Sequence, residues 1–320
     1  MLRLASLVVT VLMSLLAATA GAAELGPWSF RAAGGGYAWM PAVVPGCVHT
    51  DLLRAKKIAD PFYGTNEKDQ QWIEHTDWEY RSSFAADAAL LAHERVDLVW
   101  KGLDTFAEVF VNGHSVLRAD NMFRSWRVDV RRQLVEGANQ VLVRFRSPIA
   151  AVKPAYDALG YRLPAANDQA TEMVSMFARK APYHYGWDWG PRFVTSGIWR
   201  PATIEAWDVA RLEDVQVFQR ELTDARARLT VTALVQATRA GAARATLRPA
   251  RAQAPQLSRP AAIKGPPDAR SIATARSGVG ADPGAVVDLH VHVLVRDGFL
   301  HRANEHHHRW RLDQAGAAPD

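Results

Sequence analysis

Asp77-Trp78-Glu79-Tyr80-Arg81-Ser82-Ser83-Phe84 alternates with a period of two. Trp78, Tyr80 and Phe84 fall on one side, and Asp77, Glu79, Arg81 and Ser83 on the other. One apolar and one polar face mark a half-buried β-strand. The same alternation recurs outward from it, over 94–100, 107–111 and 140–145. Asn112-Gly113 follows one such run and precedes Val116-Leu117, which predicts a hairpin turn. Glu136-Gly137-Ala138-Asn139 is a second turn. Val48 to Lys57 is the one short helix the pattern supports, and Asp60-Pro61 ends it. Many short strands joined by such turns predict an all-β antiparallel sandwich, a jelly roll.

A second set of strands opens near Leu212. Val215 to Phe218 and Arg228 to Val235 both alternate and predict a hairpin. Two or three strands are too few to close an immunoglobulin-like sandwich, which needs about seven. Of the 11 tryptophans, only Trp310 lies after Trp207, and all seven tyrosines lie at or before Tyr185. Dense-core material is therefore confined to the first two-thirds of the chain. From about Thr238 Arg, Ala, Pro and Gly dominate, and only Ala285 to Val295 resembles a further strand. The expected organisation is a leader over 1–23, a sandwich over 24–208, a partial second sandwich over 209–248 and a largely irregular tail over 249–320. A frameshift, a truncation or a natural disordered tail would each give that last segment.

The leader follows from Met1 and Arg3, the apolar run Leu4 to Ala20, and the small residues Ala20-Gly21-Ala22. This is the layout of a secretory signal cut near Ala22 or Ala23, and it predicts a secreted or periplasmic protein. An uncleaved membrane anchor is the competing reading, and the small-residue site argues against it. No later run approaches the roughly 20 apolar residues that span a bilayer. The 320 residues carry 48% hydrophobic and 22% charged residues and a net charge of +5, a globular balance. The arginines are scattered, so no nucleic-acid surface is expected. Cys47 is the single cysteine, which excludes an internal disulfide and reads as a small buried hydrophobe.

Several motifs occur in a fixed order. They include Val44-Pro45-Gly46-Cys47-Val48-His49, Asp60-Pro61-Phe62-Tyr63-Gly64-Thr65-Asn66-Glu67 and Lys101-Gly102-Leu103-Asp104-Thr105. Asn121-Met122-Phe123-Arg124-Ser125-Trp126 follows. The longest runs from Arg179-Lys180-Ala181-Pro182-Tyr183-His184-Tyr185 through Gly186-Trp187-Asp188-Trp189-Gly190-Pro191-Arg192-Phe193. Together they resemble the N-terminal portion of the glycoside hydrolase family 2 β-mannosidases, over roughly Trp28 to Leu234. The resemblance implies a galactose-binding-like sandwich, then an immunoglobulin-like domain, then a (β/α)₈ barrel holding two catalytic glutamates. It implies hydrolysis of terminal non-reducing β-D-mannose, with mannose-containing oligosaccharides as partners and no cofactor.

Sugar recognition needs a flat apolar surface for C–H patches and a few fixed polar groups for hydroxyls. Trp187-Asp188-Trp189 supplies both, inside a Gly- and Pro-bracketed loop. The resemblance implies that Trp187, Asp188 and Trp189 contact the terminal mannose. The competing reading puts both tryptophans in the core and makes Asp188 a turn cap. No catalytic pair is assigned, because a barrel takes about 250 residues and the stretch after Leu234 is far shorter. The chain is therefore expected to be inactive alone, and either a free carbohydrate-binding module or a nonfunctional fragment is the alternative. Asn66-Glu67 and Asn304-Glu305 mimic the family's Asn-Glu acid/base pair but stand in the wrong context. His290-x-His292 and His306-His307-His308 lack partners, so no metal site is expected. Gly34-Gly35-Gly36 reads as a turn, and no Gly-x-Ser-x-Gly elbow occurs.

Overall fold

The computed structural model describes residues 9–12, 23–35, 37–168, 170–222, 226–238, 242–249, 257–262 and 286–297. The chain forms two compact units, one of Leu16–Val209 and one joining Met1–Leu15 to Ala210–Asp320. Strand β1 (Val9–Leu12) belongs to the second of these. The first contains β2 (Ala23–Glu24), β3 (Trp28–Ala32), β4 (Met40–Ala42), β5 (Trp78–Ala86) and β6 (Arg95–Trp100). It continues with β7 (Ala107–Val111), β8 (His114–Ala119), β9 (Trp126–Asp129), β10 (Gly137–Phe145) and β11 (Ala202–Trp207). Its helices are α1 (Val48–Arg54), α2 (Asn66–Asp69), α3 (Ala88–Ala92) and α4 (Pro148–Leu159).

The strands make a six-stranded sheet of order β4-β3-β5-β10-β7-β8 and a four-stranded sheet of order β2-β11-β6-β9. All their pairings are antiparallel. The alternation that opened the sequence reading becomes β5, whose Trp78, Tyr80 and Ser82 point into the core. Phe30, Val109, Val143 and Phe145 join them from the same sheet, and Val96, Leu98, Trp100 and Ile204 come from the other. The Trp28 and Trp100 rings, one from each sheet, lie 6.1 Å apart. Burying each large apolar side chain contributes about 1.5–3 kcal/mol, so this interior is the main source of stability.

Several polar atoms that enter the core find partners, although Ser82 Oγ and Trp100 Nε1 are buried without one among the described residues. Trp28 Nε1 donates to Leu25 O at 2.8 Å and Trp78 Nε1 to Ile73 O at 3.1 Å. Tyr80 donates its hydroxyl to Asp51 Oδ2 at 2.9 Å, which ties α1 to the sheet. Asp51 also accepts from Val43 N and Arg54 Nη1, both at 3.0 Å. The Asn112-Gly113 turn between β7 and β8 has φ of 49° and 84°, the two positive values a tight hairpin demands.

The helix α4 corrects the sequence reading, which found only α1. Ser147 caps it by accepting from Ala150 N at 3.1 Å, Pro148 begins it, and Gly160 closes it at φ 75°. Pro154 inside it hides the pattern, since proline removes a ladder donor and ordinarily ends a helix.

The second unit contains β12 (Ala210–Leu222), β13 (Arg226–Ala237), β14 (Ala242–Pro249), β15 (Leu257–Ala262) and β16 (Val286–Asp297). The expected hairpin is present as the antiparallel pair β12 and β13, and β16 adds to β13 in parallel. A second sheet has the order β1-β14-β15. Beyond Thr238 the sequence predicts one further strand, near 285–295, and the structure has β14 and β15 as well. Pro260 disguises β15, and proline is tolerated there because the strand lies at a sheet edge. His290 and His292 lie on β16. Asn304-Glu305, His306-His307-His308 and Gly36 lie outside the described residues, as does the expected leader apart from 9–12 and Ala23.

Gly197 stitches three segments of the first unit together. It exchanges backbone hydrogen bonds with Asp104, both 2.9 Å, while Gly46 N donates to Ile198 O and Val48 N to Ser196 O. Its φ is 155°, and a Cβ there would lie 2.8 Å from both Gly46 O and Cys47 Cα. The Gly46-Cys47 backbone cannot yield cheaply. Gly197→Ala is expected to cost about 1–3 kcal/mol, read as a lower urea midpoint at unchanged slope.

Candidate functional site

Between α4 and β11 the chain is irregular, with 3-10 turns at Ser175–Phe177 and Pro182–Tyr185. Gly186, at φ 115°, then turns the backbone in a way that side chains resist. Trp187 N donates to Gly190 O at 3.3 Å, closing a tight turn. This turn walls an open cavity of about 460 Å³. Its lining is Tyr183, His184, Trp187, Trp189 and Phe193, completed by Gly190 and Pro191. Phe193 is braced edge-on by His49 and Phe62, with ring centres 5.7 and 5.4 Å away.

Trp187 is 38% exposed and Trp189 84%. Neither is a core residue, so the competing core reading fails on the indoles. Asp188 is exposed, and its carboxylate makes no hydrogen bond or ion pair with the described residues, so it caps no turn. The structure brings Trp187 and Trp189 together on one cavity and leaves Asp188 between them in the chain, outside the lining.

What holds this turn is a residue the sequence reading passed over. The Arg192 guanidinium is buried and donates to Glu74 through Nε and Nη2, to Asp168 Oδ1 at 2.5 Å and to Tyr185 O at 2.9 Å. Its own backbone is gripped as well. Arg192 N donates to Glu67 Oε1 at 2.6 Å, and Gln71 Nε2 donates to Arg192 O at 3.0 Å. Residues 185 and 192 bracket the tryptophan turn, so one side chain clamps both of its ends. Glu67, half of the Asn-Glu mimic, is thereby a structural acceptor.

A second buried pair underlies the neighbouring wall. Lys180 Nζ donates to Asp104 Oδ1 at 2.6 Å, Asp104 Oδ2 at 2.5 Å and Thr195 O at 2.8 Å. Thr195 Oγ1 donates to Asp104 Oδ2 at 2.7 Å and lies 3.3 Å from His184 Nδ1. Burial, and then the Lys180 charge, push both His49 and His184 down to about 4. Lys180, His184, Arg192 and Phe193 all sit in the 179–193 motif. A lysine and an arginine inside so aromatic a run are the signal that marks buried ion pairs. Among the described residues no group of three His, Cys, Asp or Glu is placed to hold a metal ion.

Arg192→Met would strand two carboxylates in the interior. A loss of about 3–5 kcal/mol is expected, measured by urea unfolding. The histidines give a pH signature. Their folded values lie below the ordinary 6.5, so the unfolded chain binds protons that the folded chain refuses. Their contribution is complete above about pH 6.5 and is lost as pH falls towards 4. Urea midpoints should fall across that window, and His49→Gln should make the fall shallower. Burial dominates the His49 value, and the groups that act on it besides are Lys180 and His184, which lower it, and Asp104, which raises it.

The family described as "Glycosyl hydrolase 2 galactose-binding domain-like" matches residues 28–200. "Beta-mannosidase B" of Aspergillus terreus is 38% identical over 199 residues, covering 59% of this chain and 22% of that protein. "Beta-mannosidase" of Bos taurus is 36% identical over 191 residues, covering 58% and 22%. The chain thus matches less than a quarter of the length of these curated relatives. A solved structure, the β-D-mannosidase from Dictyoglomus thermophilum, superposes with a TM-score of 0.67 at 32% identity, covering 85% of this chain and 36% of that one. The order of motifs, the sandwich and these matches agree, and the chain belongs to the glycosyl hydrolase 2 family, in the β-mannosidase lineage, through its galactose-binding-like domain.

Proposed function

We propose that the cavity walled by Trp187 and Trp189 binds a mannose ring, and that the chain serves the removal of terminal non-reducing β-D-mannose from mannose-containing oligosaccharides. The observation that carries this is the pair of exposed indoles on one aromatic cavity. An indole in water covers a C–H face of a sugar, and the unpaired Asp188 carboxylate beside it is able to accept from two hydroxyls. The clamp at Arg192 fixes the turn in advance, so little ordering entropy is lost on binding. Retaining hydrolysis needs two carboxyl groups about 5–5.5 Å apart, and the lining contains none. The cavity's part is therefore recognition of the sugar rather than cleavage of its bond. The leader pattern over 1–23 supports export to a secreted or periplasmic location, where such oligosaccharides are met.

Calorimetry of the full 320-residue chain with mannose and mannobiose tests this reading. Trp187→Ala, Trp189→Ala and Asp188→Ala should each weaken binding by about tenfold without lowering the unfolding midpoint. A folded wild-type chain that binds neither sugar would sink it. Hydrolysis of p-nitrophenyl β-mannoside by this chain alone would overturn the division between recognition and cleavage.

A further inference from the structure

We propose that His184 contacts the ligand directly: its Nδ1–H is committed to Thr195, and its Nε2 lone pair accepts a hydrogen bond from a sugar hydroxyl. This rests on the sugar-binding reading of the cavity and names a further atom of recognition within it.

The inference follows from counting hydrogens around Thr195. The Asp104 carboxylate only accepts, and the Lys180 ammonium only donates. Thr195 Oγ1 has a single hydrogen and two neighbours able to take it. Asp104 Oδ2 is 2.7 Å away and charged, whereas His184 Nδ1 is 3.3 Å away. The shorter, charge-assisted contact takes the hydrogen. That leaves Thr195 Oγ1 facing Lys180 Nζ at 3.2 Å and His184 Nδ1 with lone pairs only. Contact between an oxygen lone pair and Nδ1 is favourable only when Nδ1 carries the hydrogen. A neutral imidazole has one N–H, so Nε2 is a bare acceptor.

The ring is neutral at ordinary pH, because burial and the adjacent Lys180 charge hold it down at about 4. His184 lines the cavity, and its Nε2 has no partner among the described residues. The other lining side chains are Tyr183, two indoles, a proline and a phenylalanine. None of these presents an acceptor as strong as an unprotonated imidazole nitrogen. A ligand hydroxyl is the group that fits it: a neutral donor on a ring whose C–H face an indole can cover. A ligand bearing an ether or a fluorine at that carbon meets lone pair with lone pair.

Imidazole ¹⁵N NMR of the full wild-type chain reads the tautomer directly and needs no variant. The Nδ1–H form is expected without ligand, with the Nε2 resonance moving on addition of mannose. Calorimetry then compares mannose with its monodeoxyfluoro analogues on wild type, His184→Phe and Trp187→Ala, with thermal unfolding confirming that each variant folds. One analogue should bind wild type about three- to tenfold more weakly than mannose, and that penalty should vanish in His184→Phe. An Nε2–H tautomer in the free protein overturns the inference. So does mannose binding that Trp187→Ala abolishes while His184→Phe leaves untouched, and in that case the sugar-binding reading stands. Absence of mannose binding by wild type, even with the Nδ1–H tautomer present, overturns that reading and the contact with it.

Discussion

The ammonium of Lys180 is completely buried and answers to one carboxylate, that of Asp104. Taking such a charge out of water costs several kcal/mol unless it is paired and its hydrogens are satisfied. The chain meets that condition by drawing four stretches to one point. Asp104 comes from the loop after β6 and Lys180 from the motif before the tryptophan turn. Thr195 supplies a hydroxyl and a carbonyl, and Gly197 locks the Asp104 backbone. Gly46 and Val48 dock on the same strand-like segment, so α1 is placed by it as well. Separating any one of these would leave a charge or an amide unanswered in the interior.

Arg192 repeats the device on the other flank of the cavity, with Glu74 and Asp168 as its counter-charges. A buried ion pair is a weak source of net stability, because an apolar substitute often does as well. Geometry is what such a pair secures. A guanidinium fork admits few orientations, and here it joins the 3-10 turn at Gln71–His75, the Asp168 loop and the Tyr185 end of the tryptophan turn, while the Arg192 backbone amide holds Glu67 of α2. The sheets supply the free energy of folding, through Trp78, Tyr80, Phe145 and their neighbours. The two ion pairs spend part of it to hold an irregular loop as firmly as a strand.

The sandwich was legible because its signal is local. Trp78 and Tyr80 declare their faces within one strand, and Asn112-Gly113 declares its turn within two residues. Trp187, Asp188 and Trp189 were legible as a composition, an acid between two indoles. Their support was not, since Glu67, Glu74 and Asp168 reach Arg192 from far along the chain and nothing in their own neighbourhood announces it. His184 and His49 were hidden for the same reason, because burial beside Lys180 is a property of the assembled fold. Pro154 and Pro260 concealed α4 and β15, each by a rule about proline that local capping or an edge position overrides.

The clamp and the tryptophan turn touch through backbone atoms more than through the side chains that face the cavity. Arg192 grips Tyr185 by its carbonyl, and Glu67 and Gln71 grip Arg192 by its amide and carbonyl. Trp189 stands mostly in water, and Asp188 is bonded to nothing nearby. Selection can therefore rewrite the exposed residues of the turn while the frame goes on folding as before. A lineage built this way can change the chemistry that its turn presents to solvent by exchanging three adjacent codons, with its architecture left intact.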